Sequence, residues 1–254
     1  MTEGRRGKRN VETLTIRYCF TLGNGVREQF SLTLDSKTLN LITGTRDTLP
    51  EWTKLDFHQC PNCPLSTKTH THCPVALSLA DVVERFDGIL SYDQVHLEVT
   101  MKERFVSQET TAQKGISSLM GLVMATSGCP HTAFFKPMAR FHLPLASEEE
   151  TIYRATSTYL LAQYFLKNEG KEADFKFQGL AEIYRNMQSV NSGIARRLRA
   201  WTESDSSLNA IVLLDLYARA LPMVIEDSLQ EIRYLFSPFF PEEAFPPCSP
   251  KPSS

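Results

Sequence analysis

The stretch Thr13–Leu34, TLTIRYCFTLGNGVREQFSLTL, settles the fold class. Leu14, Ile16 and Tyr18 alternate with Thr13, Thr15 and Arg17, the period of two of a half-buried strand. Gly23-Asn24-Gly25 tolerates positive φ and turns the chain into a hairpin. Phe30, Leu32 and Leu34 repeat the alternation on the way back. After a second turn at Asp35-Ser36, Leu39 and Leu41 begin an expected third strand. Val95, Leu97, Val99 and Met101 alternate with His96, Glu98, Thr100 and Lys102 and predict a fourth. Such a sheet needs a cover on its apolar face.

Helical periodicity supplies the cover. Val75, Leu79, Val82, Val83 and Phe86 recur at three and four, and Asp87-Gly88 ends that helix. A second helix is predicted over 111–127. Gly115, Ser118, Leu122 and Ala125 give it a small face, Ile116, Leu119, Met120, Val123 and Met124 an apolar one, and Gly128-Cys129-Pro130 a stop. Beyond Pro144 the pattern is all helical. Ser147 to Glu150 reads as a capping box before Ile152. Phe177 to Trp201 reads as a long amphipathic helix, interrupted at Val190-Asn191-Ser192-Gly193. A third stretch, 207–236, contains a kink at Pro222, and its segment Asn209–Tyr217, apolar on most sides, is expected at the centre of a bundle. The fold class is therefore α+β. Residues 1–11 read as a disordered tail and 12–145 as a sheet-and-helix domain with a cysteine-rich metal loop. Residues 146–237 read as a helical bundle packed on that domain, and 238–254 as a second disordered tail.

Composition excludes several classes of function. The 254 residues are 42% hydrophobic and 22% charged, with a net charge of −2, so no basic surface for nucleic acid is expected. The basic run Arg5, Arg6, Lys8, Arg9 reads as a solvated tail. Nothing approaches the ~18 apolar residues of a membrane span, and no apolar signal core follows the basic run. The expected location is the reducing cytoplasm, where six cysteines read as metal ligands or thiols rather than disulfides.

Those six cysteines sort themselves. Cys60, Cys63, Cys73 and Cys129 each precede proline, whereas Cys19 precedes Phe20 and Cys248 precedes Ser249. With 14 prolines in the chain, chance would supply roughly 0.3 such pairs. A metal-bound sulfur attracts backbone N–H donors from the turn that follows it. Proline directly after the cysteine stiffens the ligand without removing a useful donor. Cys60-Pro-Asn-Cys63 lets two thiolates face one cation from a tight loop. Residues 44–73, rich in proline, cysteine and histidine, form a structureless loop of a length that is usually functional. The four cysteines are the expected ligands, with His70, His72 and His131 as alternatives. Zinc is the expected metal and an iron–sulfur cluster the alternative, since four thiolates suit both. No tight cysteine row of the ferredoxin type is present.

No phosphate-cradling glycine loop, G-x-S-x-G elbow or H-E-x-x-H stands in the chain, so no catalytic constellation is recognised. Asp215 and Arg219 read as an i, i+4 ion pair, and Arg196, Arg197 and Arg199 as cations complementing a helix end. Through Cys60-Pro-Asn-Cys-Pro-Leu65, His72-Cys-Pro74, Ser127-Gly-Cys-Pro-His131 and Asn209–Ala218, nearly the whole chain resembles an uncharacterised bacterial family of cytoplasmic proteins. The resemblance implies no activity. The reading that fits is a metal-stabilised binding or regulatory module with protein partners or a second copy of itself. Its rival is a redox sensor or metal-dependent enzyme.

Overall fold

The computed structural model describes residues 12–44, 48–201 and 205–240, with only the backbone of 221–228. Strand β1 (Thr13–Leu22) pairs antiparallel with β2 (Arg27–Asp35) through the predicted hairpin, in which Gly25 adopts φ +83°. On its other edge β1 pairs with β3 (Gln94–Thr100), setting Phe20 opposite Leu97 and Tyr18 opposite Val99. A last antiparallel partner, β4 (Phe105–Thr111), completes the order β2-β1-β3-β4.

The sheet has four strands as expected, but not the expected four. Residues 39–41 make no strand. The Asp35 carboxylate accepts N–H bonds from Lys37 and Thr38, and Leu39 stands at φ +55°, far from extended geometry. Leu41 forms a single bridge to Leu34 and donates its N–H to the carbonyl of Thr126. Its place is taken by β4, an edge strand that is mostly exposed and so carries no apolar alternation to read.

Helices α1 (Pro74–Arg85) and α2 (Ala112–Thr126) cover the sheet. Gly115 of α2 lies so close to it that a Cβ there would stand 2.8 Å from Cε1 of Phe20. The bundle follows: α3 (Lys136–Arg140), α4 (Glu148–Asn168), α5 (Gln178–Trp201) and α6 (Asp205–Glu231), then a 3-10 helix Arg233–Phe239. The capping box closes as predicted, Glu150 N–H donating to Ser147 Oγ at 3.1 Å and Ser147 N–H to the Glu150 carboxylate at 2.8 Å.

α5 runs unbroken through Val190–Gly193, because Asn191 and Gly193 are buried against other parts of the chain rather than marking a loop. α6 likewise continues through Pro222. Its apolar segment is not enclosed on all sides. Ala210 and Ile211 are buried, whereas Leu216 is 60% exposed. The expected tail of 1–11 and the C-terminal one from 241 lie outside the described residues, while Pro238 and Phe239 belong to the 3-10 helix. One continuous apolar core links the sheet, α1 and α2 to α5 and α6. Among the described residues no helix is long and apolar enough to cross a membrane.

A polar seam ties the sheet to the segment after α3. The Tyr18 hydroxyl lies 2.9 Å from Ser118 Oγ and 2.5 Å from Nε2 of His142. Burial, then the charges of Arg154 and Arg104, push the His142 pKa down to about 3. The unfolded chain therefore takes up this proton first as pH falls. The stability held by a neutral His142 is whole above about pH 6.5 and is lost progressively as pH drops toward its folded pKa. Urea unfolding between pH 7.5 and 5 should show a declining midpoint in the wild type. His142→Gln should be less stable at pH 7.5 but follow a flatter slope.

Candidate metal centre

Three separate segments deliver the four Cys-Pro cysteines. In the long loop, Cys63 N–H donates to the Cys60 carbonyl at 3.0 Å, closing a turn that carries both sulfurs. Cys73 occupies the N-cap of α1 with Pro74 as the first helical residue, where the helix dipole favours negative charge. Its own N–H donates to the Thr53 carbonyl at 2.8 Å. Cys129 follows α2, after Gly128 turns the chain at φ +90°. The backbone N–H groups of His131 and Thr132 favour a thiolate at Cys129, the donor arrangement expected around a ligand sulfur. Cys73 and Cys129 are buried, Cys60 and Cys63 half-buried.

The four sulfurs lie within reach of one another's charge. Burial is the main reason the Cys60 thiol is pushed up to about 12, and Cys73, Cys63 and Cys129 add to it, with Arg197 opposing. Burial also raises Cys129, helped by Cys73 and Cys63. Burial thus favours the protonated thiol at Cys60 and Cys129, and a cation beside them would oppose that preference. The sulfurs are not drawn in to ligand distance: among the described residues no group of three His, Cys, Asp or Glu side chains is arranged to hold a metal ion.

α5 forms the floor. A Cβ on Gly193 would stand 2.6 Å from the Cys60 sulfur, so the loop lies against bare helix backbone there. One turn on, Arg197 is fully buried. Its Nη1 donates to the carbonyls of Trp52 and Lys54 at 2.7 and 2.6 Å, and its Nη2 to that of Leu55 at 2.9 Å. Its Nε has no partner, and among the described residues no carboxylate pairs with it. Burial lowers its pKa, while the thiols of Cys73, Cys60 and Cys63 and the Asp56 carboxylate act in the opposite sense. Arg196 and Arg199 are exposed, as a helix-end role requires, but Arg197 is the cation beneath the cysteine loop. The overlooked signal was Gly193 and Arg197 at i, i+4 on one face.

Each histidine is engaged elsewhere. His131 Nε2 lies 2.7 Å from the Asn62 carbonyl, pinning the Cys60–Cys63 turn beside Cys129. His72 Nδ1 lies 2.8 Å from Thr53 Oγ1, and His70 is exposed with Nδ1 2.9 Å from Thr69 Oγ1. The Asn62 amide donates to Asn186 Oδ1 at 2.8 Å, tying the loop to α5. Cys19 stands apart on β1, accepting from Arg27 at 3.2 Å, and Cys248 lies outside the described residues. Asp215 and Arg219 pair at 2.6 Å as the spacing predicted.

Residues 16–237 match the model of a family described as a domain of unknown function (DUF6901), and the chain belongs to that family. No curated protein and no solved structure matches it.

Arg197→Lys removes the fork that reaches three carbonyls, and an ammonium cannot span them. Chemical denaturation should show a loss of about 2–4 kcal/mol. Arg196→Lys, on the exposed face, should change stability by less than about 0.5 kcal/mol.

Proposed function

We propose that Cys60, Cys63, Cys73 and Cys129 close on one zinc ion, and that the protein is a metal-stabilised binding or regulatory module of the reducing cytoplasm. The observation that carries this reading is the convergence of the four Cys-Pro cysteines from three segments beside the buried guanidinium of Arg197, which forms no ion pair among the described residues. Zinc bound by four thiolates is a dianion, and a buried cation beside it offsets the cost of burying both. The histidines fit supporting roles, because each has a ring nitrogen committed to a loop oxygen. A centre with four cysteine ligands leaves no open position for substrate, which favours a structural role over catalysis. The outer face of α4 exposes Leu161, Tyr164 and Phe165, each more than half exposed, and suits a protein partner or a second copy.

Protein purified without added metal should be colourless and contain about one zinc per chain by elemental analysis. Cys60→Ser and Cys129→Ser should lose metal and soluble yield together, whereas Cys19→Ser should keep both. Gly193→Ala separates a bound centre from an idle thiol cluster. A free Cys60 sulfur can swing away from the new methyl at little cost, but a metal-held one cannot, so zinc affinity should fall by about tenfold. A brown protein with iron and acid-labile sulfide would replace zinc by an iron–sulfur cluster. Metal-free protein of full stability would refute the centre altogether.

A further inference from the structure

A second site lies on the other side of α5. Between α2, the α3–α4 segment, α5 and α6 opens a cleft of about 580 Å³, within the range of small-molecule pockets. Leu122, Phe135, Met187 and Leu214 give it apolar walls. Several of its polar groups lack partners among the described residues. Arg154 donates one Nη2 to the carbonyls of Met138 and Phe141, and among the described residues no carboxylate pairs with it. The nearest acid, Glu150, is spent on the capping box of α4. Tyr184, only 5% exposed, has no hydrogen-bond partner for its hydroxyl among the described residues. Asn191, fully buried, has neither amide atom satisfied, and Thr111 Oγ1 is likewise unpartnered.

His142 lines the cleft too, its Nε2 2.5 Å from the Tyr18 hydroxyl, which lies 2.9 Å from Ser118 Oγ. At the mouth Lys114 adds positive charge, and the one acid there, Glu109, is paired with His96 at 2.7 Å.

We propose that this cleft binds a small monocarboxylate with an apolar body, its carboxylate taken by Arg154 with the Tyr184 hydroxyl and its body lying on Leu122, Phe135 and Met187. A carboxylate supplies an acceptor for the Tyr184 hydroxyl and a counter-charge for Arg154, and the other cation among the described lining residues, Lys114, is exposed. The proposal does not rest on the metal centre. Titration of the full chain by calorimetry with benzoate, 4-methylpentanoate and indole-3-acetate tests it. At least one should bind saturably below about 10 mM, and benzamide, a neutral isostere of benzoate, should bind far more weakly than its parent. Arg154→Gln should weaken carboxylate binding by about tenfold or more, and Tyr184→Phe by several-fold. Tyr184→Phe keeps the ring and so tests the site even where Arg154→Gln fails to fold. Filling the cleft with Leu122→Trp should abolish binding. The proposal falls if none of the three acids binds, if benzamide matches benzoate, or if folded variants at Arg154 or Tyr184 bind as the wild type does.

Discussion

The guanidinium of Arg197 is the interaction on which the loop, and with it the cysteine cluster, depends. Residues 51–55 hold little regular structure, yet the carbonyls of Trp52, Lys54 and Leu55 all face the interior and need donors. One side chain from α5 supplies all three. Only arginine has several donors in a rigid plane, so the shape of the turn and the identity of the residue are set together. The same cation fixes the sign of the surroundings. A buried positive charge is costly, and the Cys73, Cys60 and Cys63 sulfurs and the Asp56 carboxylate are groups whose negative charge would offset it.

α5 distributes these constraints. Tyr184, Met187 and Asn191 recur at three and four and face the cleft, while Gly193 and Arg197 lie about 200° and 240° around the helix from Asn191 and face the cysteine loop. α5 thus borders the cleft on one side and the cysteine cluster on the other. The weak points of that helix sit at the crossing. Gly193 forfeits helix propensity for proximity to Cys60, and Asn191 is buried with unsatisfied amide atoms. Val190–Gly193 looks like a break in sequence for this reason: the residues that weaken a helix are there to admit its neighbours.

Much of the architecture was legible because burial imposed a period. β1, β2, β3 and α2 present one apolar face to one core, and the alternation at Leu14–Tyr18 or the small face at Gly115 reports it directly. β4 was missed because an exposed edge strand is held by backbone pairing, which leaves no trace in side-chain polarity. The strand expected at Leu39–Leu41 was misread because two apolar residues at period two are too few to outweigh an Asp35 turn that bends the chain away. The four Cys-Pro cysteines stand out through a different signal, the proline after each member. Arg197 was hidden among Arg196 and Arg199, since three arginines in four positions look alike until the helix is wound and one of them points inward.

What holds the cysteine loop explains why the four thiols come together. The loop is tied down at several points: the Lys54–His72 bridge, Cys73 N–H on the Thr53 carbonyl, His131 on the Asn62 carbonyl, and the Asn62 amide on Asn186. Each tie joins segments far apart in sequence, and each lies within a few residues of a cysteine. Ordering a long proline-rich loop costs conformational entropy that its few buried side chains, chiefly Trp52 and Leu55, offset only in part. A cross-link through the sulfurs would remove most of that cost from the folded state's competitors, because it joins the loop to the start of α1 and the end of α2 at once. The hydrogen bonds place the sulfurs near one another but do not fix their distances. A ligand that joined the four sulfurs would add a closure that these hydrogen bonds do not supply.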